Sequence, residues 1–271
     1  MRTVQILIPT ALYRPPIIII KGTSLLPAMD WILGVAMLVA FAPVFLAMDL
    51  VLKNYTYPRV ENPFFKDSTF FGLFAVGIVE GAVMAFVIIY FQFMESPIGI
   101  IYMILMALLE LMAMVVVLNP RRFRGNSDSI FYGYGIGLGM AAGMALGFTY
   151  VIANQINSET VDYVGIFLYI VLLSTSMTFI YGASGTNIGE GIARHLPMQF
   201  VLQAAIPLAA YNMLFAVMWT STGFMFYLLL IAMTILGFFY FYKCLLINLP
   251  AIVREVLKMN GVKRDDIPGS K

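Results

Sequence analysis

Charge, cysteine and histidine are scarce in this chain of 271 residues, and each shortage excludes something. Charged residues make up 11% of it, against about 25% in soluble domains. A single cysteine, Cys244, rules out an internal disulfide and a cysteine-based metal cluster. A single histidine, His195, rules out haem held by a histidine pair and a histidine-rich zinc site. Secretory-signal character is missing too. Arg2 stands near the N-terminus, but Pro9, Pro15 and Pro16 break the apolar run, and no small-residue cleavage site follows. No internal repeat of roughly 20–50 residues is present. The net charge of +2 says little about partners, because the charges are distributed by topology, and no nucleic-acid partner is expected.

Apolar residues are what the chain has in excess, at 61% against about 45–50% in soluble domains. That composition predicts an all-α polytopic helix bundle in a membrane, taken to be the plasma membrane, with membrane lipids as its surroundings. Residues 1–28 carry short apolar patches split by prolines and read as an interfacial N-terminal arm, a re-entrant segment being the alternative. Seven longer apolar segments follow within 29–247, near Met29–Leu52, Ser68–Phe93, Pro97–Leu118, Ile130–Ala153, Tyr163–Ser184, Pro197–Trp219 and Gly223–Ile247. Each is long enough to cross a bilayer as a helix. Pro43 and Pro207 are expected to kink two of them. Residues 248–271 read as a cytoplasmic tail. Within it, Ile252, Val253, Val256 and Leu257 alternate with charges as in an amphipathic helix lying on lipid headgroups or docking a soluble partner.

Basic residues alternate between the connections. Lys53, Arg59 and Lys66 follow the first span, Arg121, Arg122 and Arg124 the third, Arg194 the fifth, and Arg254, Lys258, Lys263, Arg264 and Lys271 the seventh. The intervening connections near Glu95, Asn154–Asp162 and Thr222 have neither lysine nor arginine. The positive-inside rule then predicts a cytoplasmic C-terminus and an outside N-terminus, with Arg2, Arg14 and Lys21 of the arm counting against it.

The fourth span, YGYGIGLGMAAGMALG, carries two stripes of small residues. Gly135, Gly139, Gly143 and Gly147 share one helix face. Gly133, Gly137, Ala141 and Ala145 lie about 200° around the axis from them. Glycine this dense costs roughly 1 kcal/mol per residue in an aqueous helix. In hydrocarbon the backbone stays helical for want of other partners, and small side chains let neighbouring helices come close. The span is expected to be the centre of the bundle, clamped between two helices of this chain or a companion.

Charges inside spans are the default functional candidates. Glu80 and Glu110 lie mid-span, either as ion, proton or metal-water groups or as protonated groups bonded to neighbouring helices. Ser174 and Asn212 are the other intramembrane polar candidates. Asp30 and Asp49 sit near span ends. Lys243 would suit a retinal protein only if it lay mid-membrane, and it lies near the end of its span, where it can snorkel. His195 reads as a solvated interfacial side chain. Tyr55, Tyr57, Tyr150, Tyr163 and Trp219 read as an interface belt, and the methionines as gap-filling core.

From the third span onward the order of features resembles the PrsW intramembrane-protease family and the related multipass scaffold subunit of gamma-secretase. The stretch ALLELMAMVVVLNPRRFRGNSDSIFYGYGIGLGMAAGMALG matches its acid-bearing helix, basic loop and glycine-rich helix. Gly135 to Gly143 is similar to the scaffold's glycine helix, glycine for glycine. STSMTFIYG, Ser174 to Gly182, has the spacing of the family's histidine-bearing helix, and LAAYN, Leu208 to Asn212, resembles its last motif. The match runs from Ala107 to Asn212. Against the family pattern, only Glu110 remains of the acid pair, with Leu109 in place of the other acid and Ala113 in place of the lysine. Met144 replaces a glutamate, and Ser174 and Leu208 replace the two histidines.

A catalytic metal needs about three protein ligands, so the resemblance implies a pseudoenzyme without catalytic residues, metal or cofactor. The expected function is a scaffold or subunit of a membrane complex with other membrane proteins. The alternative is a small-solute or ion transporter or channel using Glu80 and Glu110, with Gln199, Gln203 and Asn212 along its path. More remote is an intramembrane metalloprotease using Glu80, Glu110 and His195.

Overall fold

A computed structural model describes residues 26–96, 98–154, 163–262 and 264. The N-terminal arm up to residue 25 and the end of the tail lie outside them, as do the side chain of Asp30 and the connection 155–162. The described chain is a helical membrane bundle: α1 (Leu26–Leu52), α2 (Asp67–Tyr90), α3 (Gly99–Leu118), α4 (Asp128–Asn154), α5 (Tyr163–Ala193), α6 (Pro197–Thr220) and α7 (Phe224–Phe241). α7 runs on through a π turn, Tyr242–Asn248, into α8 (Leu249–Met259). Among the described residues six helices are long and apolar enough to cross a bilayer, and α1 contributes the apolar helix Met37–Leu52.

α4 is the centre, with 72% of its span buried against 22–44% for the other five. Its two stripes are covered from opposite sides by the same chain. A Cβ added at Gly139 or Gly143 would fall on the carbonyl oxygen of Phe74 or Ile78 in α2. One added at Gly133 or Gly137 would fall on the carbonyl oxygen of Gly185 or Tyr181 in α5. The neighbours answer in kind. Gly77 and Gly81 bring α2 onto α4, and Gly185 and Gly189 bring α5 onto it. Gly135 packs against the Phe70 ring and Gly147 against Ala85 Cβ. α1 joins through the Tyr134 hydroxyl, which donates to the Ala47 carbonyl at 2.7 Å.

Two elements differ from expectation. The fifth helix does not stop near Ser184 but continues to Ala193. Past Ser184 the stretch GTNIGEG is polar and glycine-rich like a loop, yet Gly185 and Gly189 are contact points for α4, while Gly191 packs against Phe200 of α6. The helix ends where His195 takes φ 61°. The Leu196 N–H then donates to the Gly191 carbonyl at 2.8 Å, which satisfies an end carbonyl. The second difference is α8, expected on lipid headgroups. Val253, Val256 and Leu257 are buried in the common core, so its apolar face rests on the bundle. Pro250 has no N–H for the carbonyl four residues back, and the helix crosses that point with the wide π turn. Tyr55 likewise leaves the expected aromatic belt. It is 3% exposed and packs edge-on against Phe64.

The basic connections gather at one end. The Gly125 N–H donates to the Ile192 carbonyl at 3.2 Å. The Asn260 amide donates to the Gly125 carbonyl at 2.7 Å, and Arg264 donates to the Asn62 carbonyl at 2.6 Å while covering the Phe64 ring. α8 and the residues after it therefore close this end across the two long basic loops. Val253→Asp puts a carboxylate where the side chain is 0% exposed and is expected to detach α8. Trypsin should then cut after Arg254 and Lys258 at conditions that leave the natural protein whole. Equal digestion of both proteins would contradict the packing of α8.

Candidate functional site

Mid-bundle, α3, α5 and α6 meet around one carboxyl group. Glu110 is 0% exposed. Its Oε2 accepts from the Tyr181 hydroxyl of α5 at 3.0 Å and from Asn212 Nδ2 of α6 at 3.4 Å. Asn212 Nδ2 also lies 3.3 Å from the Met103 carbonyl of α3. One residue earlier, the Tyr211 hydroxyl shares a hydrogen with Ser176 Oγ at 2.8 Å. Tyr181 and Tyr211 are 0% and 1% exposed, so both hydrogen bonds are closed off from water. Glu110 Oε1 is buried with no hydrogen-bond partner among the described residues.

The site is built by helix periodicity. Met103, Met106, Ala107, Glu110, Leu111 and Met114 are the inward face of α3, so Glu110 is carried inward with its apolar neighbours. Leu109, at the other acid position of the motif, is 51% exposed on the outside. Ser174, 1% exposed, turns to α1 and donates to the Ala40 carbonyl at 3.2 Å. Met144 and Leu208 are buried apolar packing. Stretches quoted from three helices, ALLE, STSMTFIYG and LAAYN, thus meet through Glu110, Tyr181 and Asn212.

The remaining candidates lie elsewhere. Glu80 sits on α2, half-buried, with Oε2 shielded from solvent and unpartnered among the described residues. No hydrogen bond joins it to Glu110 among the described residues. His195 is exposed at the α5–α6 turn beside Gly125. It lies about 21 Å along α5 from Tyr181 at the usual helical rise, so it cannot share a metal ion with Glu110. Among the described residues no three His, Cys, Asp or Glu side chains converge. Lys243 is exposed in the π turn, outside the bundle centre.

Tyr181 was not among the residues singled out from sequence. A tyrosine in an apolar helix looks like any core aromatic, and its period alone does not show which polar group it faces. Glu190 was missed for a different reason, because the helix was expected to end before it. Its Oε1 meets Arg194 Nε at 2.8 Å, and Arg194 reaches Glu255 of α8 at 2.8 Å. These two acids hold the Arg194 guanidinium above its ordinary pKa, with the Glu255 hydrogen bond the largest cause.

What the arrangement can do chemically is limited. One carboxyl with two neutral donors can lock three helices together or hold a proton. No protein-family model, characterised protein or solved structure matches this chain.

Proposed function

We propose that this integral membrane protein is a non-catalytic scaffold or subunit of a membrane complex, a pseudoenzyme similar to the PrsW group. The observation that supports the reading is the knot of Glu110, Tyr181 and Asn212. It draws on the three stretches that carry the resemblance, and it places neutral hydrogen-bonding groups around the one acid kept from the motif. Such a set holds helices in place and falls short of the three ligands of a catalytic metal.

Companion helices in such a complex would not use the glycine stripes, because α2 and α5 already cover both. Glu80 offers another point of contact. Its side chain is only half-buried, beside the exposed Val79 and Val83, and a carboxyl group without a donor is costly in hydrocarbon. A donor from a neighbouring helix is worth about 1–2 kcal/mol there. The expected result is an assembly larger than one chain by native mass spectrometry after mild solubilisation. Glu80→Gln should keep it and Glu80→Leu should lose it, with the melting temperature of the isolated chain unchanged. A monomer, with no membrane protein captured by photo-cross-linkers at the exposed Val79 and Val83, would defeat the scaffold reading.

A second reading, a small-solute or ion transporter, is favoured by the unpartnered Oε1 of Glu110. Flux into liposomes that disappears in Glu110→Gln would establish it in place of the first.

A further inference from the structure

A polar cavity stands apart from both Glu80 and Glu110. It measures about 410 Å³ and opens where the end of α5 and the start of α6 meet the π turn and α8. Its depth in the membrane follows from its walls. The α5 span ends at Ala193 and the α6 span starts at Pro197, while α8 is the amphipathic helix at the basic end. The cavity mouth is therefore at the level of lipid headgroups.

Its charges are balanced and separated. At the inner side Glu190 is 6% exposed and engages Arg194 through Oε1. Asn187 donates to the Tyr240 hydroxyl at 2.6 Å beside it. Lys243 and Gln203 stand exposed at the outer side, with no hydrogen bond or ion pair to another described residue. Arg194 is already occupied by two carboxylates, which leaves Lys243 as the cation able to take a new anion. A lone anion entering the cavity would meet Glu190 and Glu255, and a lone cation would meet Arg194 and Lys243. A ligand carrying both charges can satisfy an acid inside and a base at the rim together. The π turn is the element that carries Lys243 to this rim, and such turns are frequent at functional sites.

We infer that the cavity seats the headgroup of a phospholipid bearing a phosphate and a primary ammonium, the phosphate on Lys243 and the ammonium on Glu190. Neither the scaffold reading nor the transporter reading is needed for it.

The test is lipid binding by the delipidated full-length protein, followed by native mass spectrometry. Phosphatidylethanolamine should be retained about tenfold over phosphatidylcholine, whose methyl groups remove the ammonium donors, and over phosphatidylglycerol, which has no cation. Lys243→Ala, at an exposed position, should melt like the natural protein and lower the retention of all three lipids, which share the phosphate. Glu190→Gln should bring phosphatidylethanolamine close to phosphatidylglycerol. Equal retention of the three lipids would overturn the proposal, as would a preference that survives Glu190→Gln or a Lys243→Ala protein that retains all three lipids as the natural one does. Soluble phosphoethanolamine is the remaining arm. Binding of that molecule without any preference among the lipids would assign the cavity to a soluble ligand and overturn the lipid.

Discussion

Gly137→Leu is expected to abolish the folded protein. The new side chain would be driven into the Tyr181 carbonyl and the Gly185 Cα of α5. Neither can swing aside, because both are backbone atoms inside a hydrogen-bonded helix. Overpacking of an ordinary core costs about 1–3 kcal/mol; here two helices must part along their length, so the loss lies at or above the top of that range. Gly139→Leu should behave alike on the other face, where the Phe74 carbonyl and Gly77 of α2 are in the way. Gly137→Ala is the graded version, destabilising although alanine is the better helix former by roughly 1 kcal/mol in water. Gly72 is the control, since a Cβ there meets nothing within 4 Å. Gly72→Ala should melt at or above the natural temperature. Size-exclusion profiles and melting of the detergent-solubilised variants give the result. A monodisperse Gly137→Leu with natural stability would mean that α5 does not lie on this face.

Glu110→Leu is the second large effect. It leaves the Tyr181 hydroxyl without its acceptor in a site closed to water, while Asn212 keeps the Met103 carbonyl. A buried donor left unsatisfied costs about 1–3 kcal/mol. Tyr181→Phe removes that donor, so Glu110→Leu combined with Tyr181→Phe should be less damaging than the two losses added. A coupling of about 1 kcal/mol is expected between groups in direct contact. Glu110→Gln should fall between, because an amide accepts at one atom and then places an N–H where Oε1 has no partner. Thermal melting of the four proteins measures the cycle. Strict additivity would separate Glu110 from Tyr181 and remove the knot on which the functional reading rests.

How much of this was legible depends on the residue. The glycine stripes of α4 were, because a four-residue repeat on a helix names its own faces. Glu110 stood out because a carboxyl amid LLELMAM has few reasons to be there. The extension of α5 beyond Ser184 was not legible, since GTNIGEG has the composition of a loop wherever nothing packs on it. The docking of α8 was not legible either. An amphipathic helix shows that one side seeks an apolar surface, and lipid and protein satisfy that demand equally well.

Order along the chain and the physics of hydrocarbon determined, by themselves, the helical class, the number and spacing of the apolar segments and the central place of the fourth. A backbone without water must bond to itself, and that demand is local. Which helix covers which stripe, and which polar groups meet, was decided only in three dimensions. Tyr181 and Glu110 are 71 residues apart, and the two stripes of α4 are chemically alike. The choice between possible neighbours is made by the fit of whole helices, a property that no single segment contains.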